Sequence, residues 1–292
     1  MGTFTTRYDA GNVSRTTNLA IACKKLNGQV IQPGEVFSYN KALGKRSVEN
    51  GYKEAAVYVN GGVENGLGGG ICQISSTLYN TVLFANLGIV ERHQHSFTTS
   101  YVDPGRDATV VYGALDFKFK NTRKYPVKLE AYIKSGVATV SIYGLKEDVE
   151  YNVKVVSTVT ETIPCPVEKT EDATMAVGVE KVITKGTNGC KSIAYKYVYD
   201  MAGNLVSKTQ LSADYYATIA RKVKVGTKQV ETPASPSTPA TPAIPAESPS
   251  PSTSTTPSGT TKPEGTGGNG STGENSNVTN TPSGSETTGN NV

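Results

Sequence analysis

"YPVKLEAYIKSGVATVSIYG", residues 125–144, alternates apolar and polar side chains on either side of a Ser-Gly pair. Val127, Leu129, Ala131 and Ile133 fall on one face of an extended chain, because successive strand side chains point to opposite faces. The stretch predicts an antiparallel hairpin with one buried face, turning at Ser135-Gly136. N-terminal to it the period changes. Leu19, Ala22, Cys23 and Leu26 recur at the i, i+3, i+4, i+7 spacing of one helical face, which Asn27-Gly28 stops. "QPGEVFSYN", residues 32–40, supplies a turn and a short strand. A second helix follows Cys72, with Ile74, Leu78, Val82 and Ala85 in a stripe and Asn86 to Gly88 ending it. "DATVVYGALDFKFKN", residues 107–121, reads as strand. Helices first and paired strands later predict an α+β domain of mixed helix and antiparallel sheet over about residues 4–145.

Residues 150–227 differ in character. "YNVKVVSTVTETIPC" and "KSIAYKYVYDMAGNLVSKTQL" are β-branched and aromatic runs broken by turns, without a helical period, and predict a small all-β second domain. Cys165 and Cys190 lie here, and two readings stand: a disulfide that supports a small core in an oxidising compartment, or two unpaired thiols. The remainder, residues 228–292, is rich in Pro, Thr and Ser and then in Gly, Asn and Ser. It lacks the apolar surface to offset chain entropy and predicts a disordered tail acting as a spacer.

The net charge of +4 is modest. It allows contact with a polyanionic surface, but with no basic run interleaved with aromatics it gives no warrant for nucleic-acid binding, and no nucleic-acid partner is expected. No apolar run is long enough to span a membrane, and no signal peptide is evident. Because domain-like sequence begins within a few residues of Met1, the natural chain is expected to extend further at its N-terminus, where any membrane anchor would lie. The Pro/Thr/Ser tail resembles the stalks of surface proteins, which favours an extracellular, cell-envelope location.

The chemistry-bearing stretch is "GGGICQISSTLYN", residues 68–80. A cysteine attacks as thiolate, and a helix N-terminus stabilises that anion through its unpaired N–H groups and dipole. Those N–H groups could also receive the oxyanion of a tetrahedral intermediate. Glycines 68–70 remove side chains from the space a substrate peptide would need. The chain has two histidines, His93 and His95. If "RHQHSF" is extended they point to the same side, and Asp107 is available to orient one of them. Taken alone, these residues leave Cys72 open between a nucleophile and a structural cysteine behind a flexible loop. A His-x-His pair with one Cys is a partial metal set without an evident fourth ligand, so no cofactor is expected. Cys23, on the apolar helix face, reads as a small buried hydrophobe.

"RTTNLAIACKKLNGQVIQPGEVFSYNKALGKRSVENGYKEA", "GGGICQISSTLYN", "GIVERHQHS" and "YVDPGRDATV", in this order over residues 4 to about 145, resemble the VanW family, named after vancomycin-resistance clusters. The resemblance implies an L,D-transpeptidase, unlike the YkuD-type enzymes, whose nucleophile is the cysteine of "GGGICQ", here Cys72. The family's histidine falls on His95, leaving His93 as a variable neighbour, and Asp107 matches the Asp of "DAT". Residues 150–227 resemble the extracellular five-glycine domain, with Gly178, Gly186, Gly189, Gly203 and Gly226 in order. That resemblance implies binding to the cell wall and its glycan.

The implied reaction has Cys72 attack the carbonyl after the third residue of a peptidoglycan stem peptide. His95 is the base, N–H groups near Gly70 and Cys72 hold the oxyanion, and Gly69 and Gly70 count among the substrate-binding residues. Arg92 either holds the donor's terminal carboxylate or pairs with a structural acid such as Asp107. Gln73, Ser75 and Tyr101 line the site, or Gln73 and Ser75 merely cap the helix. Water in place of an acceptor amine would give a carboxypeptidase. Two other classes stay open: a noncatalytic wall-binding scaffold, and a Cys/His endopeptidase or amidase on the same polymer.

Overall fold

The computed structural model describes residues 1–59 and 62–229. From residue 230 onward the predicted tail lies outside the described residues. The first domain runs β1 (Gly2–Arg7), α1 (Val13–Leu26), β2 (Val30–Ile31), β3 (Val36–Ser38), α2 (Tyr39–Leu43), β4 (Glu54–Val59), β5 (Gly62–Leu67), α3 (Ile71–Phe84), β6 (Gly88–Glu91), β7 (Lys118–Lys120), β8 (Val127–Lys134) and β9 (Val137–Gly144). Strands alone follow: β10 (Asn152–Ile163), β11 (Val167–Ala176), β12 (Glu180–Thr184), β13 (Gly189–Tyr199), β14 (Leu205–Tyr216) and β15 (Arg221–Lys228). Strands dominate, and the second domain is all-β.

The hairpin forms as its alternation predicts. β8 pairs antiparallel with β9, from Val127 opposite Gly144 to Lys134 opposite Val137, with Ser135 and Gly136 both at positive φ in the turn. β1 and β2 add to its two edges, giving the order β1-β9-β8-β2. Leu129, Val140 and Ile142 face α1 and α3 in one core with Leu19, Ala22, Leu26, Ile74, Leu78 and Val82. Burying each of the Leu, Ile and Val side chains contributes about 1.5–3 kcal/mol, which is what holds the helices on the sheet.

α3 departs from an amphipathic pattern. All its residues except Cys72 and Phe84 are buried, including Ser75, Ser76, Thr77, Asn80 and Thr81. Their hydroxyls and amide turn back to helix carbonyls: Thr77 to Gln73, Thr81 to Thr77, Asn80 to Ser76. They also reach out. Ser75 donates to the Ala108 carbonyl at 2.6 Å, Asn80 to the Arg106 carbonyl at 2.7 Å, and the Ala108 amide donates to Ser76 at 2.9 Å. The polar side of α3 thereby clamps residues 106–108, which carry Asp107.

Residues 107–121 are not one strand. Only Lys118–Lys120 pairs, with β3 and β6 at its sides, after an isolated Val111–Leu115 bridge. The reason is local. Asp116 accepts hydrogen bonds from Ser38, the Asn40 amide and the Phe117 amide, which turns the chain where a ladder would have continued.

In the second domain, β10-β13-β14 form one antiparallel sheet, and β11-β15-β12 form another in which β11 and β15 run parallel. Cys165 and Cys190 do not form the disulfide. Both are free, with Cys190 in register with Thr162 and Cys165 lying past the end of β10.

Candidate active site

Gly70 is the N-cap of α3, with φ 109° and no side-chain cap. A Cβ there would approach Arg15 Cγ to 3.0 Å. The φ and the contact together require glycine. Ile71 N–H is taken by the Gly68 carbonyl and Gln73 N–H by the Gly70 carbonyl. Between them, the amide of Cys72 belongs to the first turn, whose N–H groups have no intrahelical acceptor. Tyr39 fixes this end of the helix by donating its hydroxyl to the Ile71 carbonyl at 2.9 Å.

The half-buried Cys72 thiol lies 3.5 Å from the Val110 carbonyl and 3.7 Å from the Thr109 hydroxyl. Burial raises its pKa, but hydrogen bonding to His95 and the imidazolium charge outweigh that and hold it below its ordinary 9.0. His95 Nδ1 meets Asp107 Oδ2 at 2.6 Å, and the same oxygen accepts the His95 backbone N–H at 2.7 Å. Nε2 is left for the thiol side, with the Tyr101 hydroxyl 3.4 Å away. Burial disfavours the imidazolium, yet Asp107 and Cys72 lift His95 to about 9. Asp107 in turn is held below the usual carboxylate range: burial opposes this, and His95, Arg92 and Tyr216 outweigh it.

These directions predict a pH profile. Cys72 is expected to alkylate with iodoacetamide well below pH 9.0, the ordinary thiol value. In urea-unfolded protein the rate should revert to that of an unassisted thiol. An identical profile in both states would remove the assisted-thiol assignment.

Cys72, His95 and Tyr101 open into a cavity of about 350 Å³, also lined by Arg15, Arg46, Gly70 and Tyr112. An adjoining cleft of about 400 Å³ shares Arg15, Ala56, Val57, Gln73 and Tyr101 with it and adds Tyr8, Asp9 and Asn12.

Of the residues anticipated from sequence, Cys72, His95, Asp107, Gly70 and Tyr101 come together. Gln73 reaches the cavity wall, but its amide is committed to Arg15 at 2.8 Å, Thr6 at 3.1 Å and the Arg7 carbonyl at 2.8 Å. Ser75 is buried beneath the site. Gly69 also faces inward: a Cβ there would meet the Ala55 carbonyl oxygen at 2.5 Å, so its missing side chain admits β4 rather than substrate. Arg92 does not hold a carboxylate in the cavity. It pairs with Asp107 at 2.8 Å and bidentately with Asp214 at 2.9 and 2.8 Å. The two histidines diverge, since His93 turns to Glu91 at 3.0 Å.

Arg46 escaped the sequence reading. It donates Nη1 to the Gly44 carbonyl at 3.0 Å and lies 5.6 Å from the Tyr112 ring centre. Its Nε and Nη2 are buried with no hydrogen-bond partner among the described residues. A lone arginine in a loop carries no periodic signal, so only its place beside Gly68 and Cys72 distinguishes it.

The sequence matches the VanW like protein family over residues 14–143 and the G5 domain family over residues 154–228. It is 41% identical over 143 residues to the uncharacterized protein YoaR of Bacillus subtilis (strain 168), covering 49% of this chain and 47% of YoaR. It is 33% identical over 114 residues to the vancomycin B-type resistance protein VanW of Enterococcus faecalis (strain ATCC 700802 / V583), covering 37% of this chain and 41% of that one. The chain thus spans about half the length of these curated relatives. Among solved structures it is similar to HP0197-G5, with 23% identity and a TM-score of 0.17, over 26% of this chain and 99% of that one. The IgA1 protease G5 domain matches with 25% identity and a TM-score of 0.20, over 28% of this chain and 92% of that one. The chain therefore carries a VanW-like domain, residues 14–143, followed by a G5 domain, residues 154–228.

Proposed function

We propose that this protein is a cysteine-dependent peptidoglycan L,D-transpeptidase that links stem peptides through their third residues, with stem trimming as its hydrolytic branch. The VanW-like and G5 domains suggest a cell-wall-associated protein, and G5 domains are associated with binding cell-wall or glycan components. The observation that carries the chemistry is a thiol at a helix N-terminus, paired with a histidine that a buried carboxylate holds by its other nitrogen.

In this reading Cys72 passes its proton to His95 Nε2 and the thiolate forms a C–S bond to the carbonyl of the third residue. The Cys72 amide receives the developing oxyanion. Collapse breaks the amide to the terminal D-alanine, whose amine takes the proton from His95. An acceptor side-chain amine attacks the thioester, His95 takes its proton, and the thiolate leaves. One amide is exchanged for another, so no cofactor or energy source is needed. Two adjoining clefts meeting at Gln73 and Tyr101 suit a donor and an acceptor peptide.

Arg46 takes the carboxylate role that Arg92 cannot. A buried guanidinium with unpaired N–H groups favours a bidentate anion, and the donor stem ends in one. Arg46→Gln is expected to raise the donor KM roughly 10–100-fold while changing kcat less, consistent with a lost charged hydrogen bond of about 1.5–3 kcal/mol. Unchanged KM would place the carboxylate elsewhere.

The function is tested by incubating the protein with disaccharide-tetrapeptide and recording mass spectra of protein and products, with Cys72→Ala as control. A Cys72-borne acyl adduct, free D-alanine and cross-linked dimers are expected. Free stem fragments without dimers would favour an endopeptidase or amidase. No adduct and no turnover by folded protein would leave a wall-binding scaffold.

A further inference from the structure

The G5 domain does not sit beside the VanW-like domain as a separate module. Along β14, Ser212, Asp214 and Tyr216 share one face by strand alternation, opposite Ala194, Ser192 and Cys190 of β13. That face lies on the segment carrying His95 and Asp107. Tyr216 is 1% exposed and donates its hydroxyl to Asp107 Oδ1 at 2.5 Å, while accepting the Gly105 N–H at 2.7 Å. Asp214, 6% exposed, holds both oxygens on Arg92 Nη1 and accepts Ser212 at 2.8 Å.

The backbone on both sides of His95 is tied to the same strand end. Gln94 donates its side-chain amide to the Tyr215 carbonyl at 2.7 Å, and the Ala217 N–H donates to the Ser96 carbonyl at 2.8 Å. Ser157 of β10 donates to the Pro104 carbonyl. Gly105, at φ 87°, has no room for a side chain, since a Cβ would come within 3.1–3.4 Å of Ser157, Ala194 and Ser192. Val155 completes the contact from within the first domain's core.

The charges explain why such contacts bear on chemistry. Asp107 serves His95 with Oδ2 and gives Oδ1 to Arg92 and Tyr216. An uncompensated Arg92 would oppose the imidazolium one residue pair away. Asp214 neutralises it, so Asp107 keeps its charge for His95. The other charged or titratable groups facing this cluster are Cys72 and Tyr79 on α3, and Tyr101 and Arg106 on the following loop. His93, with Glu91, lies at its solvent edge.

We infer that the G5 domain is part of the active site, with Asp214 and Tyr216 as positioning residues that fix Asp107 and Arg92 so that His95 can activate Cys72. The inference rests on the assisted-thiol reading of Cys72, but its test needs no stem peptide. Because the chain has two histidines, ring titration by NMR resolves His95 and uses His93 as internal reference. In the whole protein, Asp214→Asn leaves Asp107 as the one carboxylate paired with Arg92, among the described residues, so less of its charge serves His95, which is expected to titrate roughly one pH unit lower. Asp214→Glu, which restores the charge, should recover most of the shift. Tyr216→Phe, which removes one hydroxyl, should lower the Cys72 alkylation rate at neutral pH about tenfold, in line with a lost charged hydrogen bond. It carries the test if Asp214→Asn does not fold. Glu180→Gln, at an exposed ion pair with Lys169, should change neither readout.

Unaltered His95 titration and alkylation in folded Asp214→Asn and Tyr216→Phe would overturn the inference. Shifts in these variants with no stem-peptide transfer by the wild type would instead retain it and remove the proposed reaction.

Discussion

His95→Ala is expected to lower stem-peptide transfer by roughly 10²–10⁴-fold, the usual span for a general acid–base. The same change should abolish the low-pH alkylation of Cys72. The second effect follows because hydrogen bonding to His95 is the strongest influence that lowers the thiol's pKa against burial. Without the imidazole, burial dominates and the thiol stays protonated. His93 cannot substitute, because it is bonded to Glu91 and 38% exposed at the edge of the domain. His93→Ala should leave both rates essentially unchanged. Time-resolved mass spectrometry of the acyl adduct, with iodoacetamide rates across pH, measures both. Equal losses in the two histidine variants would mean that the imidazole next to the thiol has been misassigned.

Asp107→Ala should have the largest effect on stability. The carboxylate is 1% exposed and accepts from His95 twice, from Arg92 and from Tyr216. Removing one partner of a buried pair destabilises by about 3–5 kcal/mol. Because Asp214 still pairs with Arg92, the lower end applies, and at about 2–4 °C per kcal/mol this lowers Tm by about 10 °C. Thermal unfolding of both proteins measures it. The pH dependence has a definite sign. The folded-state pKa of Asp107 is depressed, so its contribution is complete above the unfolded value of about 3.9. It is lost as pH falls through the folded value. Wild-type Tm should therefore drop toward that of Asp107→Ala in acid. A Tm difference that stays constant into strong acid would mean that the contribution is packing rather than charge.

The elements read most easily from sequence were those whose burial has one face. Leu19, Ala22, Cys23 and Leu26 occupy the predicted side of α1, and the β8–β9 alternation predicts both register and turn. On α3 the apolar stripe marks one buried face, but Ser76, Thr77 and Thr81, which lie outside that stripe, are buried as well. They are buried because their hydroxyls are satisfied by carbonyls within the helix and beyond it, which periodicity does not report. Cys72, His95 and Asp107 are candidates because the chain has so few cysteines and histidines, but their chemistry alone leaves Cys72 open, and the resemblance to the VanW family is what selects them. Arg92 is ambiguous for another reason. Of its two acids, Asp107 lies nearby in sequence, whereas Asp214 lies 122 residues away and carries no local sign of the pairing.

That same separation has a consequence for when the site comes into being. The Tyr216–Asp107 and Asp214–Arg92 contacts close loops of 109 and 122 residues, so they form only after β14 has been made and docked. Long-range strand pairing is the slow part of folding. A nascent chain holding Cys72, His95 and Asp107 therefore has its reactive groups early and their arrangement last. Until those contacts close, Cys72 is an ordinary thiol, because the groups that lower its pKa are not yet in place.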